Sequence, residues 1–346
     1  MNPAGEKAGG DQERNHCMAK EILSEEDYSA VYGIADSIIG EVGKVITGKR
    51  REIALILAAM ISGGHILIED VPGVGKTTLA ASVAKAAGLL FKRAQFTPDV
   101  MASDITGFNV YNRKTESFEF REGLVNTNIL LADEINRASP KTQSSLLEAM
   151  EETQVTVDGV TYDIPDPFTV IATQNPAGFV GTYPLPEAQL DRFALRIRMG
   201  YPTPEEEIMI LKRRLGGDPM SMVRPVGKNT VKLLRAVADN VTVSEEVEKY
   251  IVSLVSATRT RSEFSLGASP RASVALMKLS RAWAVLHHRD YVIPDDIADL
   301  FCDAVSHRVT LTREAAAAGT DTEAVLGGIV KSTDVPYARP RRGFGI

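Results

Sequence analysis

A glycine-rich segment of the sequence could bind a polyphosphate. It is Glu69-Asp-Val-Pro-Gly-Val-Gly-Lys-Thr-Thr78, and it lies between the apolar strand-like run 65–68 and the helical stretch 79–87. Its glycines let successive backbone N–H groups curl around phosphates, Lys76 can reach the terminal phosphates, and the Thr77 hydroxyl can ligate Mg²⁺. This is the spacing of a P-loop. The candidate nucleotide-binding residues are Val71, Pro72, Gly73, Val74, Gly75, Lys76, Thr77 and Thr78.

The segment departs from the usual P-loop pattern, G-x-x-x-x-G-K-[ST], at one position. Asp70 replaces the first glycine. That position forms the opening turn and does not touch phosphate directly, so the prediction of a phosphate site stands. The alternative is a glycine-rich turn that only joins a strand to a helix, and the strand and helix on either side of the P-loop spacing disfavour it.

An apolar run that ends in two adjacent acids supplies the second half of a hydrolytic site. Residues 128–132 are followed by Asp133 and Glu134. At the carboxyl end of a strand, Asp133 could hold the Mg²⁺ shell and Glu134 could polarise a water for in-line attack on a γ-phosphate. Such a pair alone could merely begin a loop, but together with a P-loop it predicts nucleotide hydrolysis.

Both motifs need a parallel sheet to bring them together. Five short apolar, β-branched runs alternate with helical stretches, which predicts an α/β fold with a five-stranded parallel sheet and helices on both faces. The runs are 65–69, 91–96, 127–133, 168–172 and 193–199. Two hairpins interrupt them, at about 108–120 and 154–163. The second is the stronger prediction because Asp158-Gly159 suits a type I′ turn.

The sequence predicts two structured regions flanked by tails. From Thr203 onward helix signals dominate, beginning with Thr203-Pro204 and Glu206, which form a capping box. We therefore expect a tail over 1–25, an α/β core over 26–202, an all-helical domain over 203–331 and a loose Arg-containing tail over 332–346.

Composition excludes several classes of protein. The 346 residues are 44% apolar and 24% charged with a net charge of −6, as in a globular protein that does not bind nucleic acid wholesale. Only Cys17 and Cys302 are present, which suits a reducing compartment and predicts a cytoplasmic protein. The longest apolar run, 53–61, is about half the ~20 residues that a membrane span needs.

With these residues in place, the chain resembles an AAA+ ATPase, and within that class the MoxR family. The resemblance covers about residues 30 to 331, and together its motifs are specific. They are the P-loop 71–78, Gln95-Phe-Thr-Pro-Asp99 with Ser103-Asp-Ile-Thr-Gly107, Asp133-Glu-Ile-Asn-Arg-Ala138, Ala172-Thr-Gln-Asn-Pro176, Tyr183-Pro-Leu-Pro-Glu-Ala-Gln-Leu-Asp-Arg-Phe193 and Gly267-Ala-Ser-Pro-Arg271.

The resemblance implies three further site residues. Asn175 matches sensor 1, whose amide can hydrogen-bond the γ-phosphate and the attacking water. Arg192 matches the arginine finger that enters the neighbouring subunit's site. Arg271 matches sensor 2, carried by a helical lid, in its own subunit's site or the next. The alternatives are a turn former at Asn175, a surface ion pair at Arg192 and a solvated cation at Arg271.

The resemblance also implies a function and partners. MoxR proteins are thought to use ATP and Mg²⁺ in chaperone-like remodelling, maturation or cofactor insertion of protein clients, commonly beside a protein with a von Willebrand factor A domain. It implies a homo-oligomeric ring, most simply a hexamer, with the two hairpins as the family's helix-2 and pre-sensor insertions. An alternative is a nucleic-acid motor, which the net charge disfavours. A small-molecule kinase would not need Asn175, Arg192 and Arg271 together.

Overall fold

A five-stranded parallel sheet organises the first half of the protein. In this computed structural model, which describes residues 25–70, 73–174, 183–215 and 217–336, its strand order is β2-β5-β8-β1-β9. The five strands are β1 (Ile66–Glu69), β2 (Phe91–Gln95), β5 (Ile129–Asp133), β8 (Thr169–Gln174) and β9 (Leu195–Ile197). Each lies within or beside a run predicted from the sequence, so the predicted sheet is confirmed. Residues 1–24 and 337–346, which belong to the expected tails, are outside the described residues.

The central strands are largely apolar, as expected where both faces of a sheet are covered. Along β1, Ile66 and Ile68 face one apolar cluster and Leu67 faces the other. Residues of β5 and β8 alternate in the same way, as the two-residue period of a strand requires. The first cluster contains helices α1, α2 and α3, and the second contains α5. The bounds are α1 (Glu25–Gly43), α2 (Arg50–Ile61), α3 (Lys76–Ala86), α4 (Ala102–Thr106) and α5 (Pro140–Glu152).

Two antiparallel hairpins project from this core at the predicted places. They are β3 (Gly107–Asn112) with β4 (Ser117–Glu122), and β6 (Gln154–Val157) with β7 (Val160–Asp163). Asp158 and Gly159 have φ values of 51° and 81°, as the two central residues of a type I′ turn require. The hairpins touch, with the Phe120 and Tyr162 rings stacked at 3.8 Å. They therefore form one surface element.

Helix α6 (Glu187–Leu190) precedes β9, and after β9 the described chain is helical apart from one short ladder and one isolated bridge between Thr242 and Tyr291. The helices after β9 are α7 (Pro204–Leu215), α8 (Thr230–Asp239), α9 (Glu245–Ala257), α10 (Pro270–Leu286), α11 (Pro294–Val305), α12 (Arg313–Ala317) and α13 (Thr322–Ser332). Short 3₁₀ turns lie at Ile135–Arg137 and Pro219–Met222. The ladder pairs β10 (Phe264–Leu266) with β11 (Thr310–Leu311). These strands are too short to show the alternation of apolar and polar residues by which a strand is predicted from sequence. Among the described helices, none has the length and apolar character to cross a membrane.

The helical region packs on the α/β region through a shared apolar core. Thr203 and Glu206 form the predicted capping box at the start of α7, with a hydrogen bond in each direction. Trp283 of α10 is buried, as expected of a core residue, in the same cluster as Ile56 of α2. The two regions are thus joined by apolar contacts as well as by the chain.

A buried histidine fixes the amino end of β1. The Nδ1 of His65 accepts a hydrogen bond from the Val170 N–H at 3.0 Å, so Nε2 carries the proton and donates to the Met150 carbonyl at 3.0 Å. One neutral ring thereby links β1, β8 and α5. Burial lowers the pKa of His65 to about 4.

We expect His65 to make stability depend on pH below neutrality. The unfolded state has the higher pKa, so the histidine contribution is complete above about pH 6.5 and is lost as the pH falls toward 4. Between pH 7.5 and pH 5 the free energy of unfolding should fall by about 2 kcal/mol more in the native protein than in His65→Gln. Urea titrations at both pH values measure this difference, and equal losses in the two proteins would contradict it.

Candidate functional site

The P-loop turn has the backbone that a phosphate cradle needs. Gly73 and Gly75 both have φ of +91°, a left-handed conformation that L side chains rarely adopt. Helix α3 begins immediately afterwards at Lys76, so its free N–H groups and positive dipole end face this turn. Val71 and Pro72 lie outside the described residues. The described part of the segment is built to receive an anion.

Lys76 is buried at the centre of this turn. Its ammonium donates a hydrogen bond to the Asp70 carbonyl oxygen at 2.8 Å, which holds the side chain across the turn. Burial lowers its pKa, and the charges of Asp70, Asp133 and Glu134 act in the opposite direction. The P-loop cation and the two acids predicted from the sequence therefore share one electrostatic site.

Asp70, the residue that replaces the first P-loop glycine, ties the turn to the end of β9. Its Oδ2 accepts hydrogen bonds from the N–H groups of Met199 and Gly200, each at 2.7 Å, and the residue is buried. A glycine has no side chain with which to make this link. The departure from the usual pattern thus joins the P-loop to the segment that leads into α7.

The acidic pair is oriented by one threonine. The Thr173 hydroxyl donates to Asp133 Oδ1 at 2.7 Å and accepts from the Glu134 N–H at 2.9 Å. The other oxygen of Asp133 pairs with Arg93 of β2 at 2.7 Å. Glu134 has φ of 56°, and this hydrogen bond holds its strained backbone.

The Glu134 carboxylate is held by two neighbours. Its Oε2 accepts from the Gln95 amide at 2.9 Å and from the Arg137 guanidinium at 3.0 Å. Gln95 ends β2 and Arg137 lies in the 3₁₀ turn after β5, so both are near the carboxyl edge of the sheet. The acids are therefore fixed where the strands bring them beside the P-loop.

A pocket of about 190 Å³ adjoins the P-loop. Gly73, Val74, Gly75 and Thr78 line it on one side. The remaining lining residues are largely apolar and come from the α1–α2 loop, the end of β9 and α7; they include Val45, Ile46, Met199, Pro202 and Ile210. Arg213, which also lines the pocket, donates to the Val45 carbonyl and the Thr47 hydroxyl. A flat apolar base attached to phosphates fits this arrangement.

A second cluster joins the two arginines that the resemblance singled out. Arg192 Nη2 lies 3.1 Å from Glu151 Oε2, and Arg271 Nη2 lies 2.8 Å from Glu151 Oε1. Arg192 follows α6, Arg271 lies in the first turn of α10, and Glu151 lies in the last turn of α5. Two residues far apart in sequence thus share one carboxylate.

Residues of the helical region form hydrogen bonds with the loop that carries Arg192. Ser269, the N-cap of α10, donates to Asp191 Oδ2 at 2.8 Å. Buried Arg308 donates to the Phe193 carbonyl, and burial lowers its pKa to about 10. These contacts fix the backbone on both sides of Arg192.

The two clusters lie at opposite ends of β1. Lys76 follows the carboxyl end of that strand, whereas Arg192 and Arg271 line a pocket of about 260 Å³ with Gly64 and His65, which precede its amino end. The structure therefore groups Lys76, Asp133 and Glu134 in one place and Arg192 with Arg271 in another. Asn175 lies outside the described residues.

Several residues of these clusters were not identified as site residues from the sequence. Thr173, Gln95 and Arg93 lie at or near the carboxyl ends of predicted strands, and that position is the signal that could have found them. Glu151 carries no such signal because its partners come from distant segments.

Two family models match the chain. The model described as the ATPase family associated with various cellular activities (AAA) matches residues 65–195, and the AAA lid domain matches residues 256–328. The first match spans the P-loop, the acidic pair and Arg192. The second spans Arg271.

Full-length relatives and a solved structure agree with these matches. The chain is 49% identical to the uncharacterized protein YeaC of Bacillus subtilis, over 91% of this chain and 98% of that protein. It is 40% identical to the chaperone MoxR1 of Mycobacterium tuberculosis, over 89% of this chain and 84% of that protein. A crystal structure from Cytophaga hutchinsonii, of a protein assigned as an ATPase, superposes with a TM-score of 0.85 at 40% identity, covering 90% of this chain and 98% of that one.

We expect Asp70→Ala to loosen the P-loop from the end of β9. The change leaves the buried N–H group of Met199 without its acceptor and also removes the acceptor of the Gly200 N–H, which should lower the free energy of unfolding by about 2 kcal/mol. Denaturant titration measures the loss. Asp99→Ala removes the same carboxylate from an exposed position and should change stability by less than about 0.5 kcal/mol. Equal effects of the two changes would contradict this assignment.

Proposed function

The chain belongs to the MoxR family of AAA+ ATPases, and on that premise we propose that it uses ATP hydrolysis, in a ring of identical subunits, to remodel a protein client. The observation that carries this proposal is the convergence of Lys76, Asp133 and Glu134 at one edge of the sheet. A phosphate cradle and two acids with separate roles are what hydrolysis of a terminal phosphate requires.

The described residues fit ATP and Mg²⁺. The apolar pocket suits the adenine base, the turn of Gly73 and Gly75 suits the phosphates, and Lys76 supplies a positive charge opposite the acids. Thr77 and Asp133 have the hard oxygen atoms that Mg²⁺ prefers. When bound, the metal would neutralise charge on the phosphate oxygens.

Glu134 is the proposed general base. Thr173 fixes its backbone N–H, so the carboxylate projects from a defined point beside Asp133. In this role Glu134 would leave its hydrogen bond with Gln95 and accept a proton from the attacking water. Asn175, proposed as sensor 1, follows β8 directly and thus lies in sequence next to the strand that carries Thr173.

We assign Arg192 and Arg271 to the site of the neighbouring subunit. Both lie at the amino end of β1, away from the Lys76 of their own chain, and both are partly exposed. An arginine that completes a neighbour's site neutralises charge on the transferred phosphoryl group. A closed ring, most simply a hexamer, repeats this head-to-tail contact at every interface.

The two touching hairpins are the proposed contact with the client or a partner. Helix α5 begins shortly after Glu134 and ends at Glu152, two residues before β6, which gives the nucleotide site a short mechanical route to the hairpins. The MoxR family assignment supports chaperone-like remodelling of a protein client. We further propose that the remodelling serves maturation of the client or insertion of a cofactor into it. The proposed partner contains a von Willebrand factor A domain, and the proposed location is the cytoplasm.

We expect Glu134→Gln and Lys76→Ala to fail at different steps. Glu134→Gln should bind ATP but hydrolyse it at least about a hundredfold more slowly, because it loses the base. Lys76→Ala should scarcely bind ATP, because it loses the buried cation of the cradle. Nucleotide titration and steady-state turnover separate binding from hydrolysis. Normal turnover by either variant would overturn the mechanism.

We expect mixed rings to show that each ATP site is shared by two subunits. Arg192→Ala should assemble and bind ATP without turning it over, since its own P-loop is intact. Mixed with Glu134→Gln, it should regain activity, because intact Glu134 then meets intact Arg192 across an interface. Turnover measured against mixing ratio, with the mass of the assembly, tests this. A mixture as inactive as its components would argue against a shared site.

A further inference from the structure

The carboxylate of Glu151 bridges Arg192 and Arg271. One of its oxygens pairs with Arg192 and the other with Arg271. In the proposed function both arginines act on the ATP site of the neighbouring subunit. We propose that Glu151 is a positioning residue, which holds Arg192 and Arg271 together as one unit for the phosphates of the neighbouring subunit's nucleotide. This inference rests on the proposed function, because it requires that both arginines act across the interface.

Electrostatics explains why such a residue is needed. Arg192 and Arg271 are both cationic, and without an anion between them their tips would repel each other. Because the two oxygens of one carboxylate are only about 2 Å apart, bonding to both keeps the two guanidinium groups side by side. Glu151 thus supplies, before the nucleotide arrives, the negative charge that a phosphate would supply afterwards.

The arginines remain able to bind a phosphate while Glu151 holds them. Each uses a single Nη atom on Glu151, and a guanidinium has five N–H donors. Among the described residues, the side chains of Arg192 and Arg271 have no other acceptor. The Arg192 side chain is 30% exposed and that of Arg271 is 56% exposed, so both reach the surface. The pair is oriented and still accessible.

The surrounding contacts position the backbones of Glu151, Arg192 and Arg271. Only the ends of their side chains remain free to take different positions. Asp191, next to Arg192, is bonded by Ser269, which caps the helix of Arg271. Met150, next to Glu151, is buried and accepts a hydrogen bond from His65. Because the backbones are already placed, the flexible ends of the two arginines depend on the carboxylate between them.

Holding Arg192 and Arg271 together before ATP binds should raise the rate of hydrolysis and leave the affinity for ATP unchanged. The P-loop of one subunit binds ATP, whereas the arginines of the next stabilise charge that develops during transfer. Loss of Glu151 leaves the first step unchanged and adds an ordering cost to the second. A smaller fraction of folded protein would also lower the apparent kcat at unchanged KM, so mixed rings are needed to show that the variant subunits are folded.

The test compares Glu151→Gln with Glu152→Gln in the full-length ring. Both remove one negative charge from adjacent positions, but among the described residues the Glu152 carboxylate has no ion pair or hydrogen bond. We expect Glu151→Gln to lose at least about tenfold in kcat while its KM for ATP stays within about twofold. Glu152→Gln should match the native protein. A kcat unchanged in Glu151→Gln would overturn the proposal.

Mixed rings then test whether Glu151 acts on the neighbouring site. Glu151→Gln mixed equally with Glu134→Gln should recover about one quarter of native turnover, the share of interfaces that pair an intact Glu134 with an intact Glu151. Recovery also shows that the Glu151→Gln subunits are folded. If this mixture gains nothing over Glu151→Gln alone while the Arg192→Ala mixture recovers, the inference about Glu151 is wrong and the shared site stands. If neither recovers, both the shared site and this inference fail.

Discussion

The parallel direction of five strands is the constraint on which the rest of the structure depends. Because all five carboxyl ends meet at one edge of the sheet, the P-loop after β1, the acids after β5 and Thr173 in β8 come together there. The amino end of β1 is closed instead by His65 and followed by the cluster of Glu151, Arg192 and Arg271. Strand β1 therefore separates two sets of charged groups, which in the proposed function act together across a subunit interface.

In the proposed function, this separation leaves one subunit with only part of the ATP site, which it shares with its neighbour. In their described positions the arginines are tied to Glu151, and the loop of Arg192 is gripped by Ser269 and Arg308 of the helical region. A change in the helical region would thus move the arginine loop with it. Asp70 makes a similar link on the other side, from the P-loop to the segment that leads into α7. Both ends of the site are mechanically connected to the same helical region.

The sequence predicted what depends on local spacing. The five strands, the hairpin at Asp158-Gly159 and the capping box at Thr203 follow from short-range patterns, and the structure contains them. The resemblance identified Arg192 and Arg271 as site residues but could not predict that both form ion pairs with the carboxylate of Glu151. Arg271 and Glu151 are 120 positions apart, and only packing brings them together. The role of Asp70 was likewise hidden, because its partners lie 129 and 130 positions later.

Helix α5 connects the two sets of charged groups. Its buried Gln143 donates to the carbonyls of Ile135 and Ala138, which fixes the turn after Glu134 onto the first part of the helix. Glu151 lies in the same helix, eight residues after Gln143 and about 12 Å away along the axis. Since buried side chains pack the middle of α5 against the sheet, the helix can shift only as a unit. A displacement at the acids would therefore reach Glu151 and the arginine pair, which in the proposed function completes the site of the neighbouring subunit.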